Sequence, residues 1–135
     1  MKYLKITVLL FAVATLLSAL GVNAQTTALI DVTIPVFKGT YYSNQADKLT
    51  LGYQKIMKTD AKDDLTGDGR AISGRIMKLT VSGGFSDWKQ LPKNVLVQYD
   101  QFKEYGIFEI ALQSDKSLPM TASFWGIWDL GSDLQ

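Results

Sequence analysis

The sequence predicts an all-β protein: a small antiparallel β-sandwich of six to seven strands after a cleaved signal peptide, with a small β-barrel as the alternative closure. Three observations carry this expectation. Apolar residues recur with a period of two rather than 3.6, the segments that show it are short and rich in β-branched and aromatic residues, and clusters of Gly, Asp, Asn and Ser separate them. Nothing after the leader has the spacing of an amphipathic helix.

The leader comes first. Lys2 and Lys5 precede an apolar stretch from Ile6 to Leu20, Gly21 ends it, and Val22-Asn23-Ala24 offers modest side chains to a signal peptidase. Cleavage is expected between Ala24 and Gln25, which makes residues 1–24 a signal peptide and residues 25–135 a single domain. The apolar run falls short of the roughly 20 residues that span a bilayer, so the expected location is extracellular, with no membrane span once the leader is removed.

In the first strand Ile30, Val32, Ile34 and Val36 alternate with Asp31, Thr33 and Pro35, and a proline without a ladder donor suits an edge. Gly39 closes it, and residues 41–44 form a link. Leu49, Leu51 and Tyr53 then share a face against Thr50, Gly52 and Gln54, and the run continues through Ile56 and Met57. Residues 59–69, with two glycines and four aspartates, read as a turn region. A third strand is expected from Ile72 to Val81, broken by Gly83-Gly84. Residues 87–94 read as a loop anchored on the core by Trp88 and Leu91. Strands follow around Val95, Val97 and Tyr99, then Phe108, Ile110 and Leu112, and finally Met120 to Trp128. Residues 130–135 are expected to fray.

Composition narrows the chemistry. Among 135 residues there is no cysteine and no histidine. Disulfides, thiolate or imidazole metal sites and nucleophiles activated by histidine are therefore excluded, and the core alone must hold the fold. The formal charge is +1, and the leader removes two lysines and no acid, so the exported chain is near neutral with no global pull toward nucleic acid. Lys55, Lys58, Lys62, Arg70, Arg75 and Lys78 are interleaved with Asp60, Asp63, Asp64 and Asp68, which reads as a solvated mixed-charge hairpin.

Two patterns nominate sites, and a third, the carboxylates, nominates none. Asp64, Thr66 and Asp68, with Gly69 at the sixth position, match the opening of an EF-hand-type calcium loop, but Arg75 stands where a bidentate carboxylate belongs and no helices flank the loop. The other reading is a strand connection whose Asp and Gly residues supply turn geometry. Trp125, Trp88, Tyr41, Tyr42 and Tyr105 are candidates for an aromatic binding patch, since Trp125 and Phe124 point to opposite sides of the last strand. Glu104 and Glu109, the only glutamates, are spaced so that they cannot face one another, and no pair among the eleven aspartates is singled out for hydrolysis. No catalytic residue and no cofactor are expected.

The opening Val32-Thr33-Ile34-Pro35-Val36-Phe37, the central Ser86-Asp87-Trp88, the run Tyr105 to Ser114 and the ending Ala122-Ser123-Phe124-Trp125 give a chain that resembles small secreted β-sandwich proteins of Gram-positive bacteria. More loosely it is similar to lactococcin-type bacteriocins, although their glycine and histidine signatures are missing. The resemblance implies the same fold and export. The expected function is that of a non-catalytic extracellular or envelope-associated interaction protein, acting through a strand edge or the aromatic patch on a protein or a cell-envelope glycan. A bacteriocin-like protein binding a cell-wall precursor or glycan is the alternative, and a small hydrolase with an Asp pair is a third. A basic groove beside exposed tryptophans would favour an anionic envelope ligand, and two carboxylates converging in a cleft would favour the enzyme.

Overall fold

A computed structural model of the chain describes residues 27–80 and 83–131. The expected leader, its cleavage at Ala24 and Gln25, and residues 132–135 lie outside the described residues. The strands are β1 (Thr27–Ile34), β2 (Thr40–Tyr42), β3 (Ala46–Lys48), β4 (Gln54–Asp63), β5 (Ile72–Lys78), β6 (Lys89–Gln90), β7 (Leu96–Tyr99), β8 (Gly106–Ser114) and β9 (Ala122–Asp129). The protein is all-β, with two antiparallel sheets packed face to face as a small sandwich. The first sheet has the order β1-β9-β4-β7. The second has the order β2-β8-β5-β6, and β3 pairs the other end of β8, so β2 and β3 form one interrupted edge.

Most connections cross from one sheet to the other. The core lies between them. Ile34, Ile56, Phe124 and Trp128 of the first sheet bury against Ile76, Phe108, Ile110 and Leu112 of the second. Their alternation with exposed or half-buried neighbours follows from the two-residue period of a strand. Tyr99 on β7 reaches across, its hydroxyl donating to the Gly74 carbonyl of β5 at 2.6 Å. Burial raises that phenol's pKa well above the ordinary tyrosine value.

The structure differs from the sequence reading at several places, among them Trp88, which is expected to anchor its loop on the core and instead lies outward over Arg75. Leu49, Leu51 and Tyr53 do not form a buried strand face: all three are exposed, β4 starts at Gln54, and Gln54 is buried. Ile56 decides this, because with period two a core-facing Ile56 turns Gln54 inward and Tyr53 outward. Trp128 Nε1 donates to Gln54 Oε1 at 3.1 Å, so the buried amide has a partner on β9. The turn is also shorter than expected. A register shift between Lys58 and Asp60 lets β4 continue to Asp63, and the turn proper begins at Asp64.

The charged segment is a hairpin only at its tip, where Lys62 bridges Gly69 and the Arg70 N–H donates to the Ala61 carbonyl at 2.9 Å, because β4 and β5 belong to different sheets. Arg70, expected in solvent, is buried and ion-paired with Asp63. Its Nη1 donates to Ser114 Oγ at 3.1 Å and its Nη2 to the Met120 carbonyl at 3.3 Å, which ties the crossover to β8 and to the start of β9. Residues 130 and 131 do not fray. Leu130 joins the core, and the Gly131 carbonyl accepts a hydrogen bond from the Thr50 hydroxyl. Finally, the additional short strands β2, β3 and β6 carry too few residues for periodicity to reveal them.

Candidate functional site

The five aromatic candidates are divided among different surfaces. Trp125 is 37% exposed on the outward face of the first sheet, where the register sets it between Asp31 of β1 and Asp60 of β4. Tyr41 lies opposite the buried Leu112 and packs against the core. Tyr105 is exposed at the start of β8. Trp88 and Tyr42 share the outward face of the second sheet.

That face is built from a cross-strand row. Tyr42 and Arg75 both pair with Ala111, and directly paired residues point to the same side of a sheet. Ala111 is 0% exposed on this outward side because it lies between two long neighbours. The pairing of Gly74 with Lys89 then puts Trp88 opposite Arg75. The Arg75 guanidinium carbon lies 4.5 Å from the Trp88 ring centre and 4.4 Å from that of Phe85. Both distances are well inside cation–π range. Phe85, absent from the sequence candidates, is 63% exposed, and Tyr42 is 52% exposed.

Two serines hold the ends of this row. Ser86 is buried, its hydroxyl accepts the Ile76 N–H at 2.9 Å, and its own N–H donates to the Ile76 carbonyl at 2.8 Å. The chain on either side of Ser86 is thereby fixed against β5, which places Phe85 and Trp88 over Arg75. At the opposite edge Ser43 does the same for β8. Its hydroxyl accepts the Ile110 N–H at 2.9 Å, and its N–H donates to the Ile110 carbonyl at 2.9 Å, which holds the neighbouring Tyr42 in place. The Ser86-Asp87-Trp88 run was visible in the sequence. Its partnership with Arg75 was not, because an arginine among lysines and aspartates looks like any solvated charge.

The calcium-like segment is organised as a turn. The Gly67 N–H donates to the Asp63 carbonyl at 2.8 Å, the Asp63 N–H donates to the Asp68 carbonyl at 2.8 Å, and Gly67 takes a φ of 73° that a side chain would strain. Asp64 turns toward β9, where its carboxylate accepts from Ser123 Oγ at 2.6 Å and from Thr121 Oγ1 at 2.5 Å. Those two hydrogen bonds, Ser123 first, lower its pKa below the usual carboxylate range. Thr66 donates to Asp63, and the Asp68 N–H donates back to the Thr66 hydroxyl. Among the described residues no three acids converge on a point that would hold a metal ion.

A groove of about 380 Å³ runs along the other side of the sandwich, between β1 and the interrupted β2–β3 edge, lined in part by Leu29, Asp31, Asn44 and Trp128. Ile30 and Trp128 of the core and the half-buried Tyr41 are among its lining residues. Comparison of the chain with models of protein families, with curated protein sequences and with solved structures finds no match.

Proposed function

We propose that the protein is a non-catalytic extracellular binding protein that engages a cell-envelope glycan through the outward face of its second sheet. One observation carries this reading: Tyr42, Arg75, Trp88 and Phe85 stand together on one side of a sheet, partly exposed and backed by hydrogen-bonded strands. Aromatic faces presented on a rigid, nearly flat support can stack on the apolar faces of sugar rings, and contiguous exposed aromatics on a soluble domain mark binding surfaces. From Tyr42 to Trp88 is three strand spacings, about 14 Å. That span suits several linked rings rather than one. The two serine clamps lower the ordering cost of binding, since the rings are held before a ligand arrives.

Affinity electrophoresis through gels containing isolated cell-wall polysaccharide tests the reading. The parent protein should be retarded, and Trp88→Ala and Tyr42→Ala should each run faster while keeping the parent circular dichroism spectrum. A folded Trp88→Ala/Tyr42→Ala double variant retarded as strongly as the parent would remove this face as the binding surface.

A further inference from the structure

We propose that the ligand of this face is an acidic saccharide, and that Arg75 holds its carboxylate. The inference rests on the reading of the face as a glycan-binding surface and adds the ligand's charge to it.

Arg75 is left without an anionic partner among the described residues. It makes no ion pair and no hydrogen bond there, and its Nε is buried with none. The contrast is Arg70, whose Nε, Nη1 and Nη2 are all engaged. The guanidinium carbon lies over both the Phe85 and the Trp88 rings, which confine the head group. Nη1 and Nη2, which unlike Nε are not buried, make no hydrogen bond among the described residues, and that end of the fork can receive a carboxylate through two parallel hydrogen bonds.

The surrounding charges select the kind of anion. The nearby lysines are committed elsewhere: Lys89 Nζ donates to the Gln98 carbonyl at 2.8 Å, and Lys78 pairs with Glu104 at 3.0 Å. A terminal phosphate dianion would keep one charge uncompensated, whereas a monoanion such as a carboxylate matches the single guanidinium. Three acids border the face. Glu109 sits one row away opposite Met77, Asp87 precedes Trp88, and Asp115 accepts from Ser73 Oγ at 2.5 Å. They disfavour a densely charged polymer but not one carboxylate docked on Arg75 itself. On the far side of Arg75 the next row is Gln113, Ser73 and Gln90, which offers polar side chains to a hydroxyl-rich ligand. Trp125 lies between Asp31 and Asp60, the latter paired with Lys62 and Lys93, and its setting gives no argument for an acidic ligand.

Affinity electrophoresis with three defined polymers tests this: polygalacturonate, its fully methyl-esterified form, and polyglutamate. The parent should be retarded strongly by polygalacturonate, weakly by the ester and not by polyglutamate. Arg75→Gln should weaken the polygalacturonate dissociation constant at least tenfold, down to the ester level, and Trp88→Ala should abolish retardation by both sugars. Arg75→Lys, which keeps the charge without the fork, should fall between parent and Arg75→Gln. It also serves as the readout if Arg75→Gln melts early. Equal retardation by acid and ester, unaffected in the Arg75 variants yet lost in Trp88→Ala, would overturn the carboxylate and leave the aromatic face standing. Retardation by polyglutamate as strong as by polygalacturonate would overturn the saccharide, and retardation by neither sugar, with cell-wall polysaccharide still retarding the parent, would overturn the acidic saccharide alone.

Discussion

Phe124 and Trp125 are neighbours in the chain with opposite surroundings, because consecutive side chains of a strand point to opposite faces. Phe124 is wholly buried between the sheets and Trp125 stands on the outward face beside Asp31 and Asp60. Phe124→Ala should cost about 3–5 kcal/mol through lost transfer energy and the cavity left behind, and Trp125→Ala clearly less. Urea denaturation of the two variants checks the order. The buried pair of Asp63 and Arg70 behaves differently from a surface ion pair. Asp63→Ala strands a guanidinium that still reaches Ser114 and Met120, and should cost about 3–5 kcal/mol, whereas replacing both residues with apolar ones of similar size should cost much less. Equal midpoints for the single and double variants in urea would contradict this account.

β9 is the central strand of the first sheet, paired with β1 on one side and β4 on the other, so it cannot shift without breaking both ladders. Gly126 makes its close packing possible. A Cβ there would come within 2.4 Å of the Met57 carbonyl and 2.8 Å of the Phe124 ring. Gly126→Ala should destabilise by about 1–3 kcal/mol, the usual cost of overpacking a close-packed core, and the lost protection should appear in hydrogen exchange on β4 and β9 before β8. β4 makes the same point about legibility. Its alternation was readable around Ile56, but the register shift at Lys58 to Asp60 inverts the parity beyond it, and no composition signal marks a bulge in a polar stretch. Short β2, β3 and β6 were hidden for a simpler reason, since two or three residues make no period.

The acid stability of the whole domain depends partly on the crossover between the sheets. Asp64 has its pKa lowered in the folded state by the Ser123 and Thr121 hydroxyls. Its contribution is therefore present above the unfolded carboxylate value of about 3.9, and is lost as pH falls through the depressed folded value. The melting-temperature gap between the parent and Asp64→Asn should be constant from neutral pH to about 5 and narrow below about 4. A widening gap on acidification would mean that the carboxylate is not stabilised in its ionised form. Calcium is expected to leave the melting temperature unchanged. Both Asp64 oxygens are bonded to β9, and Asp63 to Arg70. A ligand at 100 times its dissociation constant would stabilise by about 2.7 kcal/mol, so a clear upward shift in millimolar calcium over chelator would overturn the turn account of Asp64, Thr66 and Asp68.

The sequence by itself determined the all-β class, the inward set of β8 and β9, and the absence of any disulfide or histidine chemistry, because strand period and residue inventory are local properties. It also carried the opposed orientations of Phe124 and Trp125. Which strands share a sheet was decided only by tertiary structure: the separation of β4 from β5 turned an expected surface hairpin into a buried Asp63–Arg70 crossover. The same assembly divided five aromatic candidates among separate surfaces and set Trp88 and Phe85 over Arg75. Residues 42, 75 and 88 are far apart in the chain and meet only through the registers of β2, β8, β5 and β6. Pairing registers arise from burying both sheet faces at once, a cooperative choice that no single segment encodes.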